Sequence, residues 1–203
     1  TGMPWFDFVI ADCHVLPQEL SVFFTEKPAY VNGSFLPSVS YADRERQVSR
    51  SSLGIPDSAF VMGAFGNTYK ITPDMFAAWM RLLKRIPDAL LWLIDDNEAS
   101  TASLKQQATL AGMPAERLLF TPRTTHDDFC ARLQLADVYL DTYPYNCGST
   151  ANDVIEAGIP MVTCSGKTLV SRMGGSILSA LGQSHLIANS LPEYKQLVLA
   201  VAR

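Results

Sequence analysis

From Ala59 onward the chain alternates short apolar runs with longer segments of helical period, and few folds accommodate that rhythm. A strand followed by a helix, repeated, packs most economically as βα units whose helices cover a parallel sheet. Residues 60–65 read as a first strand, 89–94 as a second, 117–121 as a third, 138–140 as a fourth and 161–163 as a fifth, with a short sixth near Leu186 and Ile187. Each βα unit runs to about 25–30 residues, which suits right-handed crossovers in a doubly wound sheet. The expected fold is therefore α/β, a doubly wound Rossmann-like parallel sheet with helices on both faces.

The helix between the first two strands is the best defined. Thr72 can cap it with Pro73 in the first turn, and Met75, Phe76, Trp79, Met80, Leu83 and Ile86 then fall on one stripe. Pro87 and Asp88 end it. Further helices are expected over 101–111, 126–133, 151–157, 170–181 and 191–201. The first 58 residues are less regular: 6–10 looks like a strand, and Pro17, Pro28, Gly33 and Pro37 break up the stretch after it. We divide the chain into a connecting segment, 1–58, packing on a main domain, 59–203. Within the segment, the mixed charges of 43–50 read as an exposed connector in preference to a first helical turn.

A chain of 203 residues is one large domain or a domain with an extension. With 48% apolar and 18% charged residues it can bury enough surface to offset chain entropy. No uninterrupted apolar run is longer than that of 89–94, which falls far short of the roughly 20 residues that cross a bilayer, and no basic start leads into an apolar signal segment. We therefore expect no membrane partner. A net charge of -4 argues against a broad footprint for nucleic acid. Cys13, Cys130, Cys147 and Cys164 form no C-x-x-C pair, and His14, His126 and His185 are far apart in sequence, so no local metal motif is expected. Scattered reduced thiols suit a cytoplasmic protein.

Ligands of doubly wound sheets collect beyond the carboxyl ends of the strands, so the loops there carry the candidates. The loop after the first strand offers Gly66, Asn67 and Lys70, whose ammonium can neutralise a phosphate or simply be solvated near a helix start. After the fourth strand, Gly148, Ser149 and Thr150 open a helix, either as an anion cradle or as ordinary caps with Asp153 completing a capping box. The loop after the third strand, with Thr124 and His126, leads into a helix carrying Phe129 and Arg132. Phe129 can flank a planar base or serve the core. The chain contains no G-x-G-x-x-G, Walker A or G-x-S-x-G, which disfavours a dinucleotide dehydrogenase, a P-loop NTPase and an α/β-hydrolase.

Taken together, several blocks form a recognisable series: Tyr69-Lys70-Ile71-Thr72-Pro73, Leu91-Trp92-Leu93, Leu135-Ala136-Asp137, Leu140-Asp141-Thr142 with Pro144-Tyr145-Asn146, and Ala157-Gly158-Ile159-Pro160-Met161-Val162-Thr163. In this order and spacing they resemble the O-GlcNAc transferase family, specifically the carboxyl-terminal, Rossmann-like lobe of its GT-B catalytic region. Asp7 to Ala11 and Glu26-Lys27-Pro28-Ala29-Tyr30 look like the segment joining the two lobes, so the resemblance covers nearly the whole chain.

The resemblance implies a lobe that binds a nucleotide sugar, commonly UDP-N-acetylglucosamine, for transfer to Ser or Thr hydroxyls of a protein, with no metal and no further cofactor. By the same resemblance, Lys70 is the catalytic lysine that stabilises the departing diphosphate, and Asn67 is an amide near the phosphates. Ser149 and Thr150 are the hydroxyl pair at the phosphate-binding helix start. Asp153 holds the ribose, Thr124 and His126 meet base and ribose, and Arg132 lies beside the nucleotide. The chain departs from the family at Gly148 and Phe129, where histidine is usual. The first change removes a possible diphosphate donor, and the second keeps a flat ring without polar nitrogens. The family's helical repeats and amino-terminal lobe, which supply the acceptor side, are not in these 203 residues, and we expect an excised piece of a longer polypeptide. Alternative readings are a non-catalytic nucleotide-binding or protein-interaction module, a lobe using GDP-fucose, and a small-molecule glycosyltransferase.

Overall fold

The computed structural model describes residues 2–37 and 47–203. Its first part holds β1 (Phe8–Ala11), the short helix α1 (Gln18–Ser21) and β2 (Lys27–Tyr30). β1 and β2 pair in parallel as a two-stranded sheet of their own. The main domain then runs β3 (Phe60–Ala64), α2 (Pro73–Arg85), β4 (Ala89–Asp95), α3 (Glu98–Leu110), β5 (Leu118–Pro122), α4 (His126–Leu133), β6 (Val138–Leu140), α5 (Ser149–Glu156), β7 (Met161–Cys164), α6 (Met173–Ala180), β8 (Ile187–Ala188) and α7 (Leu191–Val201).

The six main strands lie in the order β5-β4-β3-β6-β7-β8, all parallel. Counted from β3, this is the doubly wound dinucleotide-binding order, whose direction of growth reverses between β3 and β6. The sheet is covered on both faces. Met62, Leu91, Leu93, Val138 and Leu140 point into a core shared with α2, α3 and α7. Their neighbours Val61, Trp92, Ile94 and Tyr139 point into a second core shared with α4, α5 and α6. That two-residue alternation between opposite cores explains why these strands read as continuous apolar runs. At the reversal, Gly63 pairs with Tyr139, and a Cβ on Gly63 would come within 2.8 Å of the Phe65 ring.

Several boundaries move for local reasons. α2 forms as its cap and stripe dictate: Thr72 accepts the Met75 N–H, Pro73 opens the helix, and Trp79 and Leu83 are fully buried. α3 begins at Glu98, ahead of the expected 101, because the Asn97 side chain accepts the Ser100 N–H. The helix expected over 170–181 is shorter: Leu169–Ser171 is a 3-10 turn closed by reciprocal bonds between Thr168 and Ser171, and α6 follows it. The third strand starts one residue later than expected, since Ala115–Arg117 turns and the Arg117 guanidinium donates to the carbonyls of Leu83, Ile86 and Ala89.

Of the expected connector 43–50, residues 43–46 lie outside the described residues. Arg50 corrects the expectation of exposure. Its guanidinium donates to Ala59 O and Leu135 O and pairs with Asp137 Oδ2 at 2.9 Å, and that same oxygen accepts the Val61 N–H. It pins the entry to β3. The amino-terminal segment is fastened to α6 and the loop before it. Asp12 Oδ2 accepts the Ser176 hydroxyl at 2.6 Å, His14 Nε2 lies 3.1 Å from Ser165 Oγ, and Arg172 Nε donates to His14 O. Among the described residues, no helix is long and apolar enough to cross a membrane.

Candidate functional site

Where strand order reverses, the loops leaving the two flanking strands diverge and open a crevice. Here the flanking strands are β3 and β6. The β3 loop turns through Asn67 into a 3-10 turn, Thr68–Lys70, and the β6 loop runs from Asp141 to the start of α5. Lys70 reaches across: its Nζ donates to Asn146 O at 3.0 Å and stands 4.1 Å from the centre of the Tyr145 ring. An anion arriving in the crevice thus meets a half-buried cation already aimed at the opposite loop.

Asp141 holds the β6 loop in shape. It is buried, and its Oδ1 accepts the N–H groups of Thr142 (2.8 Å) and Cys147 (2.7 Å) while Oδ2 accepts the Thr163 hydroxyl (2.6 Å). Burial pushes its carboxyl up to about 6, against those hydrogen bonds, which favour the charged form. Asn146, also buried, donates to Thr142 O and Cys164 O. The Tyr143–Pro144 peptide in this loop is cis.

The loop delivers the chain to α5. Gly148 occupies the cap position and no side chain caps the helix, so the expected alternative of Ser149 or Thr150 as N-cap is corrected. Asp153 does not complete a capping box: its Oδ1 lies 2.9 Å from His126 Nε2. Ser149 and Thr150 instead form the first turn, with their N–H groups and hydroxyls at the positive end of the helix. Gly148 leaves its side-chain position to Met173, whose Cε is 2.9 Å from where a Cβ would stand.

Beside the crevice lies a cavity of about 310 Å³. Phe65, Trp92 and Ile94 form its apolar wall, and Thr124, His126, Phe129, Arg132, Thr150 and Asp153 line it together with residues 121–123. All five residues expected near the nucleoside are thus brought together, with Thr150 linking the cavity to the helix start. Phe129 meets the edge of Phe65 at 5.9 Å and 85°, and Phe65 in turn meets Trp92 at 4.9 Å and 89°. Phe129 therefore belongs both to the cavity wall and to the margin of the core. Arg132 is held by its bond to Pro122 O (3.1 Å), and Thr124 donates to Asp128 Oδ2. Asn67, Lys70, Gly148 and Ser149 lie outside this lining, around the adjoining crevice.

Two side chains at the site escape sequence reasoning. Arg123 donates through Nε to Asp96 Oδ1 (2.8 Å) and through another guanidinium nitrogen to Asn67 Oδ1, while Asp96 Oδ2 accepts from Thr68 N and Oγ1. This network ties together the loops after β3, β4 and β5. Its signal is a charge immediately beyond the ends of β4 and β5. Outside the cavity lining, Cys130 lies four residues after His126 on α4, with Sγ 3.6 Å from His126 Nε2. Burial, reinforced by Asp153, Glu156 and Asp127, pushes its thiol up to about 11.

Comparisons with known proteins agree with this fold. The model of glycosyl transferase family 41 matches residues 39–202. A probable UDP-N-acetylglucosamine-peptide N-acetylglucosaminyltransferase from Arabidopsis thaliana, SEC, is 30% identical over the whole chain, which spans 21% of that protein. The UDP-N-acetylglucosamine-peptide N-acetylglucosaminyltransferase of Caenorhabditis elegans is 34% identical over 72% of the chain, corresponding to 13% of its own length. Among solved structures, a mutant O-GlcNAc transferase from Thermobaculum terrenum superposes with a TM-score of 0.88 at 26% identity, covering 97% of this chain and 37% of that one. The chain therefore spans about a fifth of the length of the curated relatives it matches most fully.

Proposed function

The chain belongs to glycosyl transferase family 41, and from that premise we propose that it is the nucleotide-sugar-binding lobe of a protein O-glycosyltransferase, moving N-acetylglucosamine from UDP-N-acetylglucosamine to Ser or Thr hydroxyls. The observation that carries this reading is the juxtaposition of a base-and-ribose-sized cavity with an ammonium and an uncapped helix start. In it, residues 1–58 are the segment joining the two lobes, and the acceptor is held by the other lobe and by repeats. The work is done in the cytoplasm, and no cofactor takes part.

The nucleoside enters the cavity with its base against Phe65 and Phe129 and its ribose hydroxyls donating to Asp153. The diphosphate then reaches the crevice. There Lys70 exchanges its bond to Asn146 O for a phosphate oxygen, and the N–H groups and hydroxyls of Ser149 and Thr150 face the other side. Negative charge on the diphosphate grows as the glycosidic bond breaks, so these fixed donors stabilise the transition state more than the bound donor. The test is Lys70→Ala in a protein that includes both lobes. We expect kcat to fall by about 10²–10³ with a smaller change in KM; unchanged transfer rejects the role of Lys70.

Two observations favour a second reading, a nucleotide-binding module without turnover: Gly148 offers the diphosphate no side-chain donor, and Phe129 is apolar. Calorimetry separates the readings. Binding of UDP with transfer supports the first, binding without transfer the second, and preference for GDP a fucosyl-type donor.

A further inference from the structure

Three metal-ligating atoms converge between α4 and α5. His126 and Cys130, four residues apart, share one face of α4, and Asp153 of α5 faces them. His126 Nε2 lies 2.9 Å from Asp153 Oδ1 and 3.6 Å from Cys130 Sγ, and all three donor atoms are within 4.8 Å of one another. Ligands at about 2.0 Å (nitrogen) and about 2.3 Å (sulfur) on a tetrahedral zinc ion stand about 3.5 Å apart. The nitrogen–sulfur pair already has that spacing, and the nitrogen–oxygen pair has to open by roughly half an ångström. Imidazole, thiolate and carboxylate with a fourth position open to solvent is the donor set of an accessible zinc site. His126 is half exposed, so an ion has a route in.

We infer that His126, Cys130 and Asp153 form a binding site for a thiophilic divalent cation of the Zn²⁺ type, and that the ion competes with the nucleoside for His126 and Asp153. The competition rests on the donor-site reading above; the metal site does not. On binding, the Cys130 thiol gives its proton to solvent as the zinc–sulfur bond forms. His126 coordinates through the Nε2 lone pair with the ring proton on Nδ1, and Asp153 exchanges its contact with His126 for the metal. Asp127 and Glu156, which oppose a bare thiolate at Cys130, favour the cation instead.

The experiment uses the chain with Cys13→Ser, which removes the exposed thiol. Zn²⁺ is titrated against a chromophoric chelator, Co²⁺ is titrated for a thiolate-to-metal charge-transfer band, and UDP affinity is measured by calorimetry with and without Zn²⁺. We expect one equivalent of Zn²⁺ and a charge-transfer band. Cys130→Ser should abolish the band, weaken Zn²⁺ at least about tenfold, as loss of a metal-site group does, and leave UDP affinity alone. Cys130→Ala should behave alike, with both variants checked by thermal melting. Zn²⁺ should weaken UDP binding only where Cys130 is present. Absence of the one-equivalent site, or Zn²⁺ affinity in both variants equal to the parent's, overturns the metal site. Independent binding of Zn²⁺ and UDP overturns the competition. A chain that takes Zn²⁺ but no UDP overturns the competition and the donor-site reading while the metal site stands.

Discussion

Lys70 and Asn146 meet across the sheet's point of reversal, Nζ to backbone carbonyl at 3.0 Å, so the two loops that diverge from β3 and β6 are joined by a charge-assisted bond. A half-buried ammonium on one carbonyl gives up little when it leaves, because water replaces the carbonyl. Lys70→Ala should therefore lower folding stability by less than about 1 kcal/mol. It should weaken UDP far more than uridine, which has no diphosphate. Denaturant unfolding and paired titrations of the two ligands check this; equal losses for both would show that Lys70 shapes the nucleoside cavity instead.

Asp141 makes stability depend on pH in an unusual direction. Its folded carboxyl is raised to about 6 from the ordinary 3.8, so between these values the folded state binds the proton and the unfolded state does not. Stability contributed through this group is full below about pH 4 and declines as pH rises to 6, by roughly 3 kcal/mol for a shift of about two units. Asp12 and Asp96 act oppositely: burial raises each, but hydrogen bonds outweigh it and their carboxyls lie low, so the stability they add is lost on acidification. The group is isolated by Asp141→Asn, whose amide oxygen still accepts from Thr142 and Cys147. Subtracting the variant's urea-unfolding profile from the parent's at successive pH values should leave a slope confined to pH 4–6. A flat difference would show that Asp141 titrates normally.

The helix behind that carboxylate tolerates no side chain at Gly174. A Cβ on Gly174 would stand 2.3 Å from Asp141 Oδ2 and 2.7 Å from Thr163 Oγ1. Both atoms are buried and hydrogen-bonded to each other, so neither can yield cheaply. Gly174→Ala should destabilise by at least about 1–3 kcal/mol, the usual cost of overpacking, although alanine is the better helix former. Gly182→Ala fails for a different reason, since φ there is +71° with open space around it. Thermal melts of the two, with Asp141→Asn added to each, should show coupling for Gly174 alone.

The sheet and its helices are legible in the sequence because the main strands carry their own apolar runs and the best-defined helix its own stripe and cap, as Thr72, Pro73 and Trp79 show for α2. The cavity lining at Thr124, His126, Phe129, Arg132 and Asp153 is legible through the resemblance, which orders blocks that lie far apart in sequence. Features that depend on contacts between loops stay hidden. Nothing local marks Asp141 as buried, because its partner Thr163 comes from the next strand. In sequence Arg50 is one charge among several, and its role depends on Asp137, 87 residues further on. Arg123 and Asp96 likewise find each other only after β4 and β5 pair. Cys130 carries no C-x-x-C signal, because its neighbour on the helix face is His126 and not another cysteine.

Asp153 offers the most specific test of how a nucleotide would sit. Its Oδ1 is occupied by His126 and its side chain is largely covered, so a ribose hydroxyl has to share or displace that contact. A hydrogen bond to a charged carboxylate is worth about 1.5–3 kcal/mol, or roughly 10–150-fold in affinity. Asp153→Ala should then weaken UDP by that range and leave 2′,3′-dideoxy-UDP nearly unchanged, because the analogue has no hydroxyl to lose. His126→Ala should do the reverse to the carboxylate, freeing it for ribose while removing a wall of the cavity, so its effect on the two ligands should be more nearly equal. Calorimetric titration of both variants with both ligands yields the ratio directly. If Asp153→Ala weakens the two nucleotides alike, the carboxylate serves the cavity wall and not the sugar.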